Sequence, residues 1–437
     1  MGSSPDKRPP SVDKIARALP NELPHRTRVQ AARQAIDNMA SPNFEDIVNA
    51  ATQVAASLAG PNLRPVINMS GIILHTGLGR APLARQAIHA IARCGSHQNL
   101  EFDLDSGERG ERQSHVRKKL CELTGAEGAL VVNNCAAATW LVLHSLCSGR
   151  DVLLSRGQMV EIGGSFRLPD IIRSSGCNLR EVGCTNKTRI SDYKDALSQE
   201  TAAILICHPS NYKIIGFTAQ PAHSDLADLA HTQNALLIND LGHGCLIDTA
   251  RLGLPKEQTI GEAVACGADI VLSSGDKLMG GPQAGIIVGN KDLVEKCSRH
   301  PLARCVRIDK LSLAALEATL DLYLDQRVDE VPVWSAVMRP LGQVESDAQA
   351  LATVKGSVVE PGLTEIGGGS FPGEGVKTWR VGLRAKRPNS LLDWLRGQDP
   401  PIVGRIEGGL VWLDPRTCSP EELSIVATIL STAPSDL

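Results

Sequence analysis

The sequence lacks long apolar runs: nowhere in its 437 residues do about 18 apolar residues follow one another, so we expect no membrane-spanning helix. The first residues, MGSSPDKRPPSVDK, also lack the apolar segment of a signal peptide. None of the 12 cysteines forms a CxxC pair, which disfavours zinc and redox motifs and favours reduced, buried thiols. We therefore expect a cytoplasmic protein that has no metal site and no contact with a membrane.

The chain also has little net charge. Lysine and arginine number 45 against 48 aspartates and glutamates, a balance of −3, so there is no general attraction for nucleic acid. Residues 7–33 differ, since seven basic side chains against two acidic ones give a local balance of +5. This stretch is open to two interpretations, a phosphate-binding patch or a solvated helical face. Its basic residues are Lys7, Arg8, Lys14, Arg17, Arg26, Arg28 and Arg33.

Strand-like and helix-like segments divide the chain into three predicted domains. Residues 1–62 contain little strand character and several prolines, which predicts three helices and a linker. Over 63–326, short apolar runs alternate with helix-like segments, which is typical of a parallel sheet covered on both faces. We predict an α/β domain there, with its active site beyond the carboxyl ends of the strands. The runs are GALVVN (128–133), DVLLS (151–155), AAILIC (202–207), ALLIN (235–239), ADIVL (268–272) and AGIIVG (284–289).

After residue 310 the pattern becomes helical. Leu313, Leu316, Leu320 and Leu324 recur at helical spacing, which predicts a long helix leading into a smaller domain. That domain, 327–437, contains the short strand-like segments KTWRVGL, PIVGRI and GLVWLD between helix-like ones. We predict an α+β unit.

One lysine follows a buried strand in SSGDKLMGGPQAG (273–285). A desolvated lysine such as Lys277 can become nucleophilic and form a Schiff base with a carbonyl group. Asp240 ends another predicted strand, ALLIND, 37 residues earlier. Pyridoxal phosphate (PLP) requires both groups, a lysine for its aldehyde and a carboxylate for its pyridine nitrogen. Each residue alone also has an ordinary explanation, a surface lysine or a helix cap.

Small residues follow the predicted strand at 128–133, in the segment NNCAAA. Backbone N–H groups at a helix N-terminus bind phosphate, so Asn134, Cys135 and Ala136 are candidate phosphate ligands. Ser274, three residues before Lys277, could add its hydroxyl group. The order of phosphate loop, aspartate and lysine is the order found in fold-type I PLP enzymes.

Two other motifs have weaker support. Ser274 and Lys277 match the SxxK motif of penicillin-binding enzymes, but the companion triplets SDN and KTG do not occur. The GLG of HTGLGRAPL lacks the third glycine and the βα context of a dinucleotide-binding site.

Long motifs over nearly the whole chain resemble the bacterial L-seryl-tRNA(Sec) selenium transferases, also called selenocysteine synthases. They include INMSGIILHTGLGRAPL (67–83), NLEFDLDSGERGER (99–112), LVVNNCAAA (130–138), SRGQMVEIGGSFRLPDI (155–171), HPSNYKIIGFT (208–218), SSGDKLMGGPQAGIIVG (273–289), HPLARCVRIDKLSLAALEATL (300–320) and PPIVGRIEGGLVWLD (400–414). The N-terminal segment PPSVDKIARAL extends the similarity.

The resemblance implies a fold-type I enzyme with a mainly parallel seven-stranded sheet. It implies conversion of seryl-tRNA(Sec) and selenophosphate to selenocysteinyl-tRNA(Sec), by way of a dehydroalanyl-tRNA held on PLP. Lys277 would be the Schiff-base lysine and catalytic base, and Asp240 the partner of the pyridine nitrogen. Arg80, Arg304 and Arg307 would bind selenophosphate, which suits guanidinium groups.

The resemblance also assigns the N-terminal helical domain to tRNA binding. This favours the phosphate-binding interpretation of the basic stretch, with Lys14, Arg17, Arg26 and Arg28 as the candidate contacts. It implies homo-oligomers as well, namely dimers that assemble into a decameric ring.

The chain departs from the family pattern at four positions. The family has tyrosines where His97 and Phe102 stand, asparagine in place of Cys135, and serine in place of His243. His243 is open to two interpretations, a residue at the cofactor or a core histidine. His208, which matches the family histidine, is a further candidate for the cofactor site.

Two alternatives remain at this stage. One is a related PLP-dependent lyase or aldolase acting on a small amino acid or sugar acid, although such enzymes generally lack the N-terminal domain. The other is a catalytically silent tRNA-binding homologue, which the retention of Lys277, Asp240 and the three arginines disfavours.

Overall fold

The computed structural model describes residues 10–38, 43–59, 61–164 and 166–434. The chain divides into two compact units, Met1–Val66 and Ile67–Leu437. The domain boundaries expected at 62/63 and 326/327 stay predictions. Lys7 and Arg8 of the basic stretch lie outside the described residues.

The first unit contains the three predicted helices, α1 (Val12–Ala18), α2 (His25–Asp37) and α3 (Phe44–Ala59). The side chain of Ser11 caps α1 by accepting a hydrogen bond from the backbone N–H of Lys14. Alanines make up most of the buried core, with Ile15, Leu19 and Ile47 as its larger members. Small core residues let the helices approach closely, and the charged residues lie outside the core.

The second unit is built around a seven-stranded sheet with the order β3-β11-β10-β9-β8-β4-β7. All neighbouring strands are parallel except at β11, which runs antiparallel to both β10 and β3. This confirms the predicted mainly parallel sheet. The strands are β3 (Gly128–Val132), β4 (Asp151–Ser155), β7 (Asn178–Val182), β8 (Thr201–Cys207), β9 (Leu236–Asp240), β10 (Ile270–Ser274) and β11 (Gly285–Gly289).

Two buried apolar clusters cover the faces of this sheet. The six apolar runs predicted as strands are six of its seven strands. The helices between α3 and the C-terminal region are α4 (Arg85–Arg93), α5 (Ser114–Thr124), α6 (Cys135–Cys147), α7 (Leu168–Ser174), α8 (Ile190–Ala196), α9 (His223–Thr232), α10 (Ile260–Ala265), α11 (Lys291–Arg299), α12 (Leu302–Cys305) and α13 (Lys310–Leu324). The last of these is the predicted leucine-rich helix.

A second sheet has the strand order β15-β16-β13-β12-β2 and its own apolar cluster. It joins C-terminal strands to β2 (Ile72–Leu74), while β1 (Ile67–Asn68) pairs with β14 through Ile67 and Ile402. The C-terminal elements are α14 (Pro332–Met338), α15 (Leu341–Leu351), β12 (Val358–Gly367), β13 (Ser370–Arg384), α16 (Pro388–Arg396), β14 (Ile402–Val403), β15 (Arg405–Glu407), β16 (Leu410–Leu413) and α17 (Pro420–Ser431).

Two short strands, β5 (Glu161–Ile162) and β6 (Phe166–Arg167), form a separate hairpin. In the part of the chain that the structure describes, no helix combines the length and the apolar character needed to cross a membrane.

Candidate active site

Three neighbouring parallel strands bring the predicted cofactor residues together. In β8, Cys207 pairs with Asp240 of β9, and Asp240 pairs with Leu272 of β10. Because the carboxyl ends of parallel strands lie at one edge of a sheet, His208, Asp240 and the turn that carries Lys277 meet there. The backbone N–H of His208 donates to the carbonyl of Asp240 at 3.0 Å.

Lys277 is buried, with 6% of its surface exposed, and two glycines approach its ammonium group. A methyl group on Gly242 would lie 3.9 Å from Lys277 Nζ and 3.7 Å from Asp240 Oδ1. A methyl group on Gly369 would lie 3.5 Å from the same Nζ and 3.5 Å from Ser210 Oγ. Both glycines have positive φ. The space beside Lys277 Nζ is therefore bordered by two glycines, which place backbone there without a side chain.

Asp240 is buried beside α6 and receives hydrogen bonds from that helix. Thr139 Oγ1 lies 3.0 Å from Asp240 Oδ2, and Cys135 Sγ lies 3.7 Å from Oδ1. Burial raises the pKa of Asp240, although Thr139 and the charge of Lys277 act in the opposite direction. Burial, followed by the charge of Asp240, raises the pKa of the Cys135 thiol well above its usual value. Cys135 is thus a neutral thiol that donates to Asp240.

The N-terminus of α6 is the segment predicted to bind a phosphate group. Asn134 Oδ1 accepts from the backbone N–H of Ala137 at 2.9 Å and so caps the helix. The first N–H groups of a helix, here those of Cys135 and Ala136, have no partner within the helix. The helix dipole adds a favourable potential for an anion.

Ser274 and Arg80 both contact Asp276, the neighbour of Lys277. Ser274 Oγ donates to Asp276 Oδ1 at 2.6 Å, so its hydrogen points at a carboxylate. Arg80 Nη1 donates to Asp276 Oδ2 at 2.9 Å. Arg80 has a φ of 64°, which is uncommon outside glycine and indicates a constrained loop. The assignment of Ser274 to a cofactor phosphate stays a prediction.

The other two predicted donor-binding arginines lie in a separate cluster around Glu101. Arg307 Nη1 is 3.0 Å from Glu101 Oε1, which Arg112 also contacts at 3.0 Å, and Arg109 contacts Oε2 at 3.1 Å. Desolvation, followed by the charges of Arg112 and Arg304, lowers the pKa of Arg307. Within the described residues, neither Arg304 nor Arg307 forms an ion pair with a residue of the Lys277 region. Glu101 therefore contacts three arginines, Arg109, Arg112 and Arg307.

Burial acts to raise the pKa of Glu101, but hydrogen bonding from Arg112 and the charges of Arg112, Arg307 and Arg109 lower it overall. Glu101 therefore stays ionised, and the three arginines in contact with it share one negative charge. His97 and Phe102, which depart from the family pattern, are exposed near this cluster in the sequence.

His208 and His243 converge on Glu257. His208 Nε2 is 2.9 Å from Glu257 Oε2, and His243 Nε2 is 3.6 Å from the same oxygen. The two rings pack edge to face with their centroids 4.8 Å apart. The backbone of His208 contacts Asp240 and that of His243 contacts Leu278, so both histidines lie near the predicted cofactor residues, and His243 is fully buried.

A cavity of 520 Å³ borders this group. Its lining includes His208, Glu257, Tyr212, Phe371 and Glu374, but neither Lys277 nor Asp240. Two segments connect it to Lys277, the turn from His208 to Ser210 and the hairpin from Gly369 to Phe371.

The tRNA-contact candidates lie in the first unit. Lys14, Arg17 and Arg26 are exposed, and Arg28 is half-buried. Arg17 pairs with Asp13 at 2.9 Å, and Lys14 Nζ lies 4.9 Å from the centroid of the Phe44 ring. Their role in binding stays a prediction.

Sequence reasoning missed several residues of this site. Thr139 follows Cys135 by four residues in α6, a spacing that would have placed both on one helix face. Asp276 immediately precedes Lys277 in the sequence and could have been noted as a neighbouring charge. Glu257 and Gly369 lie in connections whose positions no sequence pattern indicates.

A family model described as "SelA: L-seryl-tRNA selenium transferase" matches residues 66–419. A protein of Hyphomonas neptunium called L-seryl-tRNA(Sec) selenium transferase is 48% identical over 359 residues, which cover 80% of this chain and 78% of the relative. A protein of the same name from Solidesulfovibrio magneticus is 47% identical over 424 residues, which cover 92% of this chain and 85% of the relative.

A solved structure of D-glucosaminate-6-phosphate ammonia-lyase is similar in fold. It superposes with a TM-score of 0.61 at 22% identity and covers 84% of this chain and 95% of that chain. This similarity concerns the fold alone. Together with the seven-stranded sheet, it confirms the predicted fold-type I α/β architecture.

Proposed function

The chain belongs to the L-seryl-tRNA selenium transferase family, and we propose that it converts L-seryl-tRNA(Sec) to L-selenocysteinyl-tRNA(Sec) with selenophosphate as the selenium donor and PLP as the cofactor. The observation that carries this proposal is the placement of Lys277 and Asp240 beside Gly242, at the carboxyl ends of two neighbouring strands. Arginines suited to a phosphate-like donor lie in the same unit.

The residues present fit PLP. Glycines keep side chains away from Lys277 Nζ, and a helix N-terminus follows β3 at the same sheet. Buried polar atoms without a hydrogen-bond partner in the described structure include His208 Nδ1, Ser210 Oγ and Ser370 Oγ. Buried polar groups normally have partners, so these atoms support a site that takes a polar ligand. Lys277 would hold the aldehyde, Asp240 the pyridine nitrogen, and Asn134, Cys135 and Ala136 the phosphate.

Bound PLP supplies an electron sink for charge at the serine Cα. The protein provides the rest. Asp240, held by Thr139 and Cys135, presents a fixed negative charge in a buried place. With PLP bound, the Lys277 amine would be the group placed to take the Cα proton at its Nζ. Burial of Lys277 and Asp240 keeps water from competing for that proton.

Selenophosphate binding is assigned to Arg80, Arg304 and Arg307. A guanidinium group offers paired N–H donors that match phosphate oxygens. Arg80 is fixed by Asp276, next to Lys277, which supports a role at the reacting atoms. Arg304 and Arg307 belong to a cluster with excess positive charge, which supports capture of a dianion from solution.

Binding of seryl-tRNA(Sec) is assigned in part to the first unit, through Lys14, Arg17, Arg26 and Arg28. The exposed apolar side chains of Leu104, Ile215 and Phe217 in the second unit support a homo-oligomer, proposed as dimers within a decameric ring. All twelve cysteines are free, which supports a cytoplasmic location.

The experiment compares wild type, Lys277→Ala and Lys296→Ala, the last an exposed lysine of α11 that serves as the control. Each protein is incubated with PLP, dialysed and examined by absorbance spectroscopy. Each is then assayed with selenophosphate and either seryl-tRNA(Sec), another seryl-tRNA or free serine. We expect a bound-cofactor band and turnover of seryl-tRNA(Sec) in wild type and Lys296→Ala, and neither in Lys277→Ala.

Three results would contradict the proposal in different ways. Absence of a cofactor band in wild-type protein would contradict the assignment of PLP as the cofactor. Turnover of free serine or a sugar acid without tRNA would favour the lyase or aldolase alternative. Binding of tRNA and PLP without any turnover would favour a silent homologue.

A further inference from the structure

The cavity of 520 Å³ borders the proposed cofactor site but is lined by neither Lys277 nor Asp240. Small-molecule sites in proteins usually have volumes of about 300–1,000 Å³, so this cavity has room for a ligand. A methyl group on Gly369 would lie 3.5 Å from both Lys277 Nζ and Ser210 Oγ, and Phe371, two residues later, lines the cavity. A ligand attached to a group at Lys277 would therefore reach the cavity past this hairpin.

Two aromatic rings, those of Tyr212 and Phe371, belong to the cavity lining. The Tyr212 hydroxyl group donates to the carbonyl of Gly157, which holds the ring in place. Burial raises the pKa of Tyr212 to about 12, so this hydroxyl group keeps its proton. Phe371 is buried and has a φ of 53°, a backbone conformation that bulky residues rarely adopt and that often marks a functional position. Fixed aromatic side chains of this kind are the surfaces on which unpaired RNA bases stack.

The charges of the lysine and glutamate side chains in the lining cancel. No arginine lines the cavity among the residues that the structure describes, and the charged residues besides His208 are Lys187, Lys213, Glu257 and Glu374. Dianions such as phosphate are usually bound by guanidinium groups, which the cluster around Glu101 has and this cavity lacks. The lining therefore favours a neutral polar ligand over selenophosphate. Thr185, Thr218 and Gln220 add hydroxyl and amide groups that can bond to such a ligand.

One ion pair joins the two segments that border the cavity. Lys213 Nζ lies 3.1 Å from Glu374 Oε1, and the two side chains are 60% and 40% exposed. Exposed ion pairs contribute little to stability, so an incoming phosphate group could replace the Glu374 carboxylate at Lys213. A neutral group inside the cavity and a phosphate group at Lys213 together match one end of a nucleic acid.

We propose that this cavity binds the terminal adenosine of the aminoacyl-tRNA, with its base against Tyr212 and Phe371 and its phosphate group at Lys213. The inference rests on the proposed function, which places the seryl group at Lys277. Every tRNA carries its amino acid on the ribose of a 3′-terminal adenosine, so this nucleoside is one ester bond away from the reacting serine. Contacts made there would favour tRNA-bound serine over free serine, because binding energy remote from the reacting atoms can be used at the reaction centre.

The first test compares two ligands of PLP-loaded protein. One is 3′-deoxy-3′-(L-serylamino)adenosine, a stable analogue of the tRNA end, and the other is L-serinamide, which has the same amino group without the nucleoside. Dissociation constants are read from the change in cofactor absorbance. Thr218→Trp reduces the space in the cavity, and Thr353→Trp is the matched control. Both threonines are exposed, and the backbone N–H of each donates to the residue two positions before it.

In wild type we expect the adenosine analogue to bind roughly tenfold or more tightly than L-serinamide, the value of one or two additional hydrogen bonds. Thr218→Trp should lose most of this preference without a change in the affinity for L-serinamide, whereas Thr353→Trp should keep it. Equal affinities in wild type, or an undiminished preference in Thr218→Trp, would overturn the inference. Absence of PLP binding, or of any absorbance change with either ligand, would instead contradict the proposed function.

A second test does not depend on a larger side chain being tolerated. Lys213→Ala truncates an exposed side chain, and Lys296→Ala again serves as the control. We expect Lys213→Ala to reduce the slope of log affinity for seryl-tRNA(Sec) against log salt by about 1, because one phosphate contact is lost. The affinity for L-serinamide should stay at the wild-type value. An unchanged slope in Lys213→Ala would contradict the placement of the phosphate group.

Discussion

The two charged clusters of the second unit differ in burial and in charge balance. Around Lys277, the charged residues Lys277, Asp240 and Asp276 are buried, and Asp240 receives hydrogen bonds from Thr139 and Cys135. Around Glu101, three arginines share one carboxylate and lie partly or fully exposed, and the charge of Arg304 acts on one of them, Arg307. The first arrangement suits the proposed cofactor, which would stay in one geometry. The second carries excess positive charge, which suits the proposed anionic donor.

The largest effect should come from removing charge in the buried cluster. We expect Asp240→Asn to lower activity by roughly 10²- to 10⁴-fold, because loss of one partner of a buried charge pair costs about 3–5 kcal/mol. The assay is turnover of seryl-tRNA(Sec), with PLP content measured by absorbance. Asp151→Asn is the control, since Asp151 is a buried acid at the opposite ends of the parallel strands and pairs with Arg180. Equal losses in both variants would mean that the effect is structural.

Substitutions in the exposed cluster around Glu101 should have smaller effects, some raising KM for selenophosphate and others lowering it. We expect Arg307→Ala to raise KM for selenophosphate by roughly 10- to 100-fold, the value of one charge-assisted hydrogen bond. Glu101→Gln should lower KM by about 1.5- to 5-fold, since this carboxylate competes for the same arginines. A raised KM in Glu101→Gln would instead show that Glu101 is needed to orient the arginines, and would contradict a role for excess positive charge in this cluster.

The need for a glycine without a side chain beside Lys277 can be tested with two glycines of one hairpin. Gly369 and Gly373 both have a φ of 74°, but a methyl group would contact Lys277 Nζ at 3.5 Å only from Gly369 and would meet nothing within 4 Å from Gly373. Each change to alanine should destabilise the fold by about 1–2 kcal/mol, measured by thermal unfolding. Affinity for PLP should fall roughly tenfold in Gly369→Ala alone. A similar fall in Gly373→Ala would contradict a local effect.

The smallest effect is expected in the first unit, whose basic side chains are also exposed. Arg26→Gln should reduce the slope of log affinity for tRNA against log salt by about 1, because one phosphate contact is lost. Arg17→Gln should reduce it less, since Asp13 already pairs with Arg17. Filter binding at several salt concentrations measures both slopes, and an unchanged slope in Arg26→Gln would remove this residue from the interface.

Sequence reasoning located the central strands and the cofactor pair because burial on both faces leaves a continuous apolar run. It missed β7, whose segment Asn178–Val182 reads NLREV, because this strand at one edge of the sheet is only partly buried and keeps polar residues, whereas β3 at the other edge is fully buried. The proximity of Asp240 and Lys277 followed from their places after strands. Their actual spacing depends on β9 lying beside β10, which no pattern in the sequence encodes.

The remaining site residues come from contacts between distant segments. Glu257 reaches His208 through a loop, and Gly369 reaches Lys277 through the register of β12 with β2, where Gly367 pairs with Leu74. Register of this kind depends on tertiary packing, so composition and periodicity do not reveal it. Cys135 is a further example. The sequence predicts a role for its backbone N–H in the phosphate loop, but does not reveal that its thiol contacts Asp240.

The pairing of β1 with β14 and of β2 with β12 has a consequence for how the chain is made. Residues 67–74 leave the ribosome early, but their partners, among them Ile402 and Glu365, are synthesised near the end. The first strands of the second unit must therefore wait unpaired while most of the chain emerges. Contacts so far apart in sequence close large loops and slow folding. A nascent chain cut short before β12 would expose the backbone edges of these strands to chaperones or to other copies of itself.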